Sequence, residues 1–307
     1  MTGVVGTGHL GYHHARILGG LSGGTVPIFD VNADRMKELE SELDVRACRS
    51  LEELLDLCDS IVVACTTVEH YQTVLKALNA GVHVLVEKPI AATVEEGLEM
   101  VDMAASKKLV LAVGHVERFN PAIVAAAELI DEPLFVEGHR MAPFRPRGTD
   151  VSVVMDLMIH DLDLVLSFVR SPVESVHASG VPVLSNNVDI ASARIQFENG
   201  CTVNMTASRI SREQMRKLRF FQRRSYVSVD FASRRVEAFK VSDDGSILPV
   251  HVTVGDSDAL TAELRDFRSA CSTGTPPTVT GEEGLRALRS AGTISEAIEK
   301  ASRRFGI

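Results

Sequence analysis

Tryptophan is absent from this 307-residue chain and aromatic residues make up 5% of it, which leaves no stacking platform for nucleic-acid bases. Positive charge is in deficit. Lys and Arg number 32 against 41 Asp and Glu, a formal net charge of −9 that gives no general attraction to a phosphate backbone. No nucleic-acid partner is expected. Cys48, Cys58, Cys65, Cys201 and Cys271 form no CxxC pair and are odd in number, so a zinc knuckle and a disulfide framework are both disfavoured. Reduced, mostly buried thiols and a cytoplasmic setting are expected. No apolar run approaches the length of a membrane span, and Met1-Thr2-Gly3-Val4-Val5-Gly6 carries no basic segment ahead of an apolar one, so neither membrane insertion nor secretion is expected.

What remains is an ordinary globular mixture, 45% hydrophobic and 24% charged, long enough for one large domain or two smaller ones. The first half alternates apolar strands with helical segments. Strands are read at Val4-Val5, Val26–Phe29, Ser60–Ala64, Val82–Val86 and Leu109–Val113, with helices between them, which is the pattern of a parallel sheet covered on both faces. The first strand is short ahead of its glycines, which leaves open whether the true start lies upstream of residue 1.

Gly6-Thr7-Gly8-His9-Leu10-Gly11 follows that strand and opens a helix. Gly6 permits the tight turn, Gly8 lets backbone approach a pyrophosphate, and Gly11 lets helix and sheet pack closely, with the helix N-terminus offering N–H groups to phosphate. The next strand ends in Asp30, 22 residues beyond Gly8, placed to accept from ribose hydroxyls and to repel a 2′-phosphate. Arg35 is the nearby cation that could contact phosphate. The combination predicts NAD as cofactor.

After Val113 the rhythm changes. Pro121–Ile130 reads as a helix, Leu134–Met141 as a strand, and Val151–Val169 as mostly helical. Extended segments follow from Val173 to Val254, with hairpin turns at Asn199-Gly200 and Asp244-Gly245. Helices close the chain at Ala259–Ser269 and Gly281–Ser302, the last broken near Gly292. The expected fold is an α/β Rossmann domain, residues 1–118, followed by an α+β domain with a large, mostly antiparallel sheet, residues 119–307. One face of that sheet lacks a helical cover, so a homodimer or homotetramer is expected.

Two polar groupings stand out. Val82–Val86 ends in Glu87-Lys88-Pro89, at the carboxyl end of a strand where an α/β crevice opens. Lys88 there could hydrogen-bond a substrate hydroxyl and stabilise negative charge on oxygen. Glu87 would pair with cofactor or substrate hydroxyls, or orient Lys88. The second grouping is Asp156, His160 and Asp163 on an otherwise apolar helix, spaced four and three apart so that all can share a face. A histidine beside carboxylates is held in one tautomer and poised to take a proton. The same three residues could not easily converge on one ion, no fourth ligand is apparent, and Lys88 would oppose a cation; no metal is expected. His13-His14 is read as a surface or packing pair, and Phe119, Phe144, Phe220, Phe221 and Phe231 as core or interface.

Together these pieces resemble the Gfo/Idh/MocA oxidoreductases along essentially the whole chain. The resemblance implies that Lys88, Asp156 and His160 cluster beside the nicotinamide and the reacting carbon of a sugar or cyclitol. Ala64-Cys65-Thr66-Thr67-Val68-Glu69-His70 looks like the family's cofactor loop, with Thr66, Thr67 and His70 at usable positions and Thr66 in place of the usual proline. Val151-Ser152-Val153-Val154 stands where the family usually carries glycines. Gly114 to Pro121, Asp156 to Asp161 and Cys201 to Arg209 look more closely like the branch that oxidises UDP-N-acetylglucosamine at C3, whose 3-keto product a partner aminotransferase can convert for lipid A. That likeness implies a nucleotide-sugar substrate, with Arg118, Asn120, Arg145, Arg147 and Arg209 as candidate substrate contacts. An NAD-dependent cyclitol or free-sugar (polyol) dehydrogenase is the enzymatic alternative, and a non-catalytic NAD-responsive scaffold the alternative from another class.

Overall fold

The computed structural model describes residues 1–144 and 151–303. They divide into two compact units, Met1–Val116 with Ala259–Leu285, and Glu117–Asp258 with the chain from Arg286 onward. A division into 1–118 and 119–307 therefore differs from the structure at the return of 259–285 to the first unit.

In the first unit the elements run β1 (Thr2–Val5), α1 (His9–Ser22), β2 (Val26–Phe29), α2 (Ala33–Glu42), β3 (Val45–Ala47), α3 (Leu51–Leu57), β4 (Ser60–Val63), α4 (Thr67–Asn79), β5 (His83–Glu87), α5 (Val94–Lys107) and β6 (Leu111–Gly114). Among the described residues the strands form one parallel sheet in the order β3-β2-β1-β4-β5-β6. The order reverses between β1 and β4, which opens a ligand crevice beyond their carboxyl ends. Side-chain caps start several of the helices. Asn32 accepts from Asp34 and Arg35 N–H, Ser50 from Glu53 N–H, and Thr93 with Glu96 forms a capping box. β3 has only three residues at the sheet edge, too short for the apolar run that marks a strand, and for that reason it escaped the sequence reading.

The second unit begins with a 3-10 turn, then α6 (Pro121–Ala126), β7 (Phe135–Met141), a π turn (Val154–Met158) and α7 (Ile159–Phe168). Seven strands follow: β8 (Val173–Val181), β9 (Ile190–Phe197), β10 (Thr202–Ser208), β11 (Met215–Gln222), β12 (Ser225–Asp230), β13 (Arg235–Val241) and β14 (Ile247–Val250). With β7 they make a sheet in the order β14-β13-β12-β11-β7-β10-β9-β8, antiparallel except for the β7–β10 pair. Gly200 and Gly245 take φ of +87° and +86° at the two expected hairpins.

α8 (Ala259–Thr273) returns to the first unit, where Leu264 and Phe267 pack with Ala15, Leu18 and Val4. α9 (Gly281–Ser302) runs unbroken through Gly292, where a Cβ would meet nothing, and places Ala287, Ala291, Ile294 and Ile298 in the second core. No helix among the described residues is long and apolar enough to cross a membrane.

The loop between β8 and β9 is held by a buried ion. Asp189, fully buried, accepts from the backbone of Val183, Leu184 and Ser185 at 2.7–2.9 Å and from Arg209 Nε at 2.8 Å. Burial pushes its carboxyl up, but these donors and the Arg209 charge hold it well below the usual range. Asp189→Asn keeps the shape but removes the buried negative charge that meets Arg209 and three backbone N–H groups, so a loss of about 3 kcal/mol is expected in urea unfolding. A depressed folded pKa contributes stability above about pH 3.9 that is lost in acid, so wild type and variant converge there. Equal unfolding midpoints at pH 7 would contradict this.

Candidate active site

The glycine turn in the first unit has little room for side chains. Gly6 sits at φ +88°, and a Cβ on Gly11 would lie 1.8 Å from the Gly6 carbonyl oxygen, so α1 lies directly against the turn. Gly8 differs. It caps α1 without a side-chain bond, a Cβ there would meet nothing within 4 Å, and the first turn carries no acid. Unfilled N–H groups beneath open space fit a pyrophosphate. His9 and Leu10 open α1 as exposed residues, His9 meeting His13 edge-on.

Asp30, just beyond β2, is tied to that turn. Its Oδ2 accepts the Thr7 N–H at 2.6 Å and hydroxyl at 2.9 Å, and its Oδ1 accepts from Asn32 N–H at 2.8 Å. The carboxylate is held where an adenosine ribose would need it, with lone-pair capacity left over. Arg35 donates to the Thr7 carbonyl at 3.1 Å and pairs with Glu38, so it is committed to the turn and its own helix. These residues fit NAD.

Thr66, in the position of the family's proline, has φ −70°, a value proline itself would take, so this turn does not depend on the ring. Thr67 opens α4. His70 is buried with Nδ1 3.0 Å from the Pro89 carbonyl and Nε2 3.2 Å from that of Cys65, and burial lowers its pKa. It tethers the loops that follow β4 and β5.

Lys88 follows the last residue of β5, and the Lys88–Pro89 peptide is cis. Glu87 is buried. Its Oε1 lies 2.7 Å from His14 Nε2 and its Oε2 accepts the Lys88 backbone N–H at 3.3 Å. Burial pushes this carboxyl up, but His14 and the Lys88 charge bring it below the usual value, so it stays an anion. Of the two roles foreseen for Glu87, this geometry fits the orienting of Lys88.

The second unit carries the other grouping. Asp156 lies in the π turn and His160 on the first turn of α7, both half-buried. A π turn inside a helix is frequent at functional sites because it re-aims the side chains around it. Asp163 does not join them at an open face. It is buried and held by Arg118 through Nε–Oδ2 at 2.6 Å and Nη2–Oδ1 at 3.0 Å. Asp161, two residues earlier, is held by Arg140, which also reaches Glu117 at 3.0 Å.

The substrate-contact candidates therefore part company. Arg118 is paired with Asp163. Asn120 caps α6, accepting from Ala122 N–H and donating to Glu117. Arg209 is buried among Asp189, the Val151 carbonyl and Ser185. All three are anchors of their own unit, and a diphosphate would have to displace buried partners to reach them. Arg145 and Arg147 lie outside the described residues.

Of the surface and packing roles read for His14 the structure shows the buried one, and its pairing with Glu87 is what sequence reasoning missed. Gly11, His14, Ala15 and Leu18 form the buried stripe of α1, so the helical period already turned His14 inward.

A glycine-turned helix beside an acid-ended β2, at the switch point of a parallel sheet, defines a dinucleotide-binding oxidoreductase. The model for the oxidoreductase family with an NAD-binding Rossmann fold matches residues 1–115, and the GFO/IDH/MocA C-terminal domain matches 126–227. The chain is 37% identical to UDP-N-acetylglucosamine 3-dehydrogenase of Acidithiobacillus ferrooxidans over 97% of each chain, and the solved structure of that enzyme superposes with a TM-score of 0.91. It is 23% identical to myo-inositol 2-dehydrogenase of Thermotoga maritima over 97% of this chain and 96% of that one. The chain belongs to the GFO/IDH/MocA family of NAD-binding oxidoreductases.

Gly8→Ala and Gly11→Ala separate the two duties of the turn. Gly8→Ala is expected to melt like wild type and to bind NAD at least about tenfold more weakly, because its methyl enters only the phosphate's space. Gly11→Ala should lower the melting temperature outright. A Gly8→Ala protein that binds NAD normally in calorimetry would contradict the placement of the pyrophosphate.

Proposed function

We propose that this protein oxidises a secondary hydroxyl of a sugar with NAD, and that the substrate is UDP-N-acetylglucosamine, oxidised at C3. The observation that carries the substrate is the end-to-end 37% match, over 97% of both chains, to a relative that bears the name of that reaction.

The chemistry is assigned to three side chains, Lys88, Asp156 and His160. Bound NAD would supply the hydride acceptor. His160 takes the hydroxyl proton, and Asp156 supports the imidazolium that results. Lys88 stabilises the negative charge that develops on the oxygen as the carbonyl forms. One C–H and one O–H bond break, and the products are a ketone, NADH and a proton. Asp30 reads the ribose and the glycine turn the pyrophosphate. A place for Lys88 at the strand exit that Glu87 clamps, and for His160 behind a π turn, supports this assignment of roles.

The protein is proposed to work in the cytoplasm as a homodimer or homotetramer and to hand its ketone to an aminotransferase. One face of the second sheet supports self-association. Phe135, Phe221, Tyr226 and Phe239 form a cross-strand row with centroids 5.0–6.3 Å apart, and Phe221 and Phe239 remain more than a third exposed.

NADH absorbance with UDP-N-acetylglucosamine, myo-inositol and glucose, followed by NMR of the product, tests the substrate. The nucleotide sugar should give NADH and a 3-keto product; turnover confined to myo-inositol or glucose would replace it with the polyol reading that the inositol relative supports. Lys88→Met and His160→Asn should each lower kcat by about 10²- to 10⁴-fold with NAD affinity little changed. Near-normal kcat in both would remove these residues from the chemistry.

A further inference from the structure

Several titratable side chains of the first unit lie in its interior outside the glycine turn, and three of them, Glu87, His14 and Glu263, bear on one another. Glu87 ends β5, His14 is on α1, and Glu263 is on α8, which packs against α1. Glu263 is 2% exposed and neither carboxyl oxygen has a hydrogen-bond partner among the described residues. His14 is fully buried; Nε2 meets Glu87, and Nδ1 has no such partner. Gly114 leaves room for the Glu87 carboxylate, since a Cβ there would sit 3.0 Å from Oε2.

An isolated buried carboxylate without donors is far costlier than a buried carboxylic acid. Two neighbouring buried carboxyls do not both ionise, and the one with donors keeps the charge. Glu87 has His14 and the Lys88 N–H. Glu263 has neither, and burial followed by the charges of Glu87 and Asp266 raises its pKa well above the ordinary value. The charged and titratable neighbours of the pair among the described residues include His14 on α1, His70 on α4, Lys88 after β5 and Asp266 on α8.

We propose that His14 and Glu263 are positioning residues for Lys88: His14 locks the Glu87 carboxylate by donating to Oε1, and Glu263 remains a neutral acid so that the single buried negative charge stays on Glu87. Glu87 then clamps the backbone N–H of Lys88 and fixes the strand exit from which its side chain departs. The proposal rests on the reading of Lys88 as the group that acts on the substrate oxygen.

Three variants of the full-length protein test it. His14→Leu removes the donor, which raises the pKa of Glu87. It should lower kcat by about 10- to 100-fold, the scale of a misplaced catalytic group, with KM for NAD little changed. The acid limb of the kcat–pH profile should move to higher pH. His14→Gln, whose amide can still donate, should restore most of kcat and return the limb. A uniform loss of kcat with an unmoved limb, or no rescue by Gln, would overturn the role of His14.

Glu263→Gln tests the neutral acid by stability alone. A raised folded pKa means that wild type is fully stabilised below about pH 4.3 and loses that contribution as pH rises through the folded value. The melting temperature of Glu263→Gln should therefore pull ahead of wild type as pH rises, and the carboxylic-acid C=O infrared band of wild type at pH 7 should disappear in the variant. Melting curves that stay parallel with pH, or an unchanged band, would overturn the role of Glu263. If Lys88→Met keeps its turnover, the underlying reading fails instead, and these stability and infrared results still stand by themselves.

Discussion

A carboxylate buried at the end of a parallel strand persists only where donors meet it, and Glu87 meets that condition with His14 on one oxygen and the Lys88 N–H on the other. That one side chain joins the parts of the first unit that matter most. His14 lies on the helix that the glycine turn opens, and Lys88 follows β5, the strand beside β4 at the switch point. Gly11 brings α1 down onto the turn, and Gly114 clears the space that the carboxylate fills.

The second unit fixes its own polar residue by a different device. His160 stands in the chain just ahead of Asp161 and three residues ahead of Asp163, and both acids are buried against arginines. Buried pairs of this kind add little net stability over apolar packing, but they leave the helix a single acceptable rotation, since turning it would strand four charges. The π turn at Val154–Met158 then presents Asp156 and His160 at the half-buried surface. Arg118 and Arg209 belong to this scaffolding.

The parts legible in sequence were those set by local rules. Glycines forced by close approach, an acid at a strand end, apolar strands buried on both faces and Asn-Gly hairpins all leave a mark within a few residues. The parts that were not legible depend on distant partners. β3 is an edge strand too short to show a period, and α8 returns to the first sheet only because Leu264 and Phe267 find Ala15 and Leu18. Gly292 reads as a helix breaker, yet the packing of Ala287, Ala291 and Ile294 carries α9 through it at a cost of about 1 kcal/mol. His14 was within reach of the helical period. Its partner, 73 residues away, was not.

The central claim is that Lys88 and His160 act on the same hydroxyl. A crystal structure with NAD and UDP-N-acetylglucosamine bound tests it most directly. The account predicts Lys88 Nζ and a ring nitrogen of His160 both within hydrogen-bond distance of the O3 oxygen, with C3 facing the nicotinamide. A complex in which either group lies on a surface remote from that oxygen would contradict it.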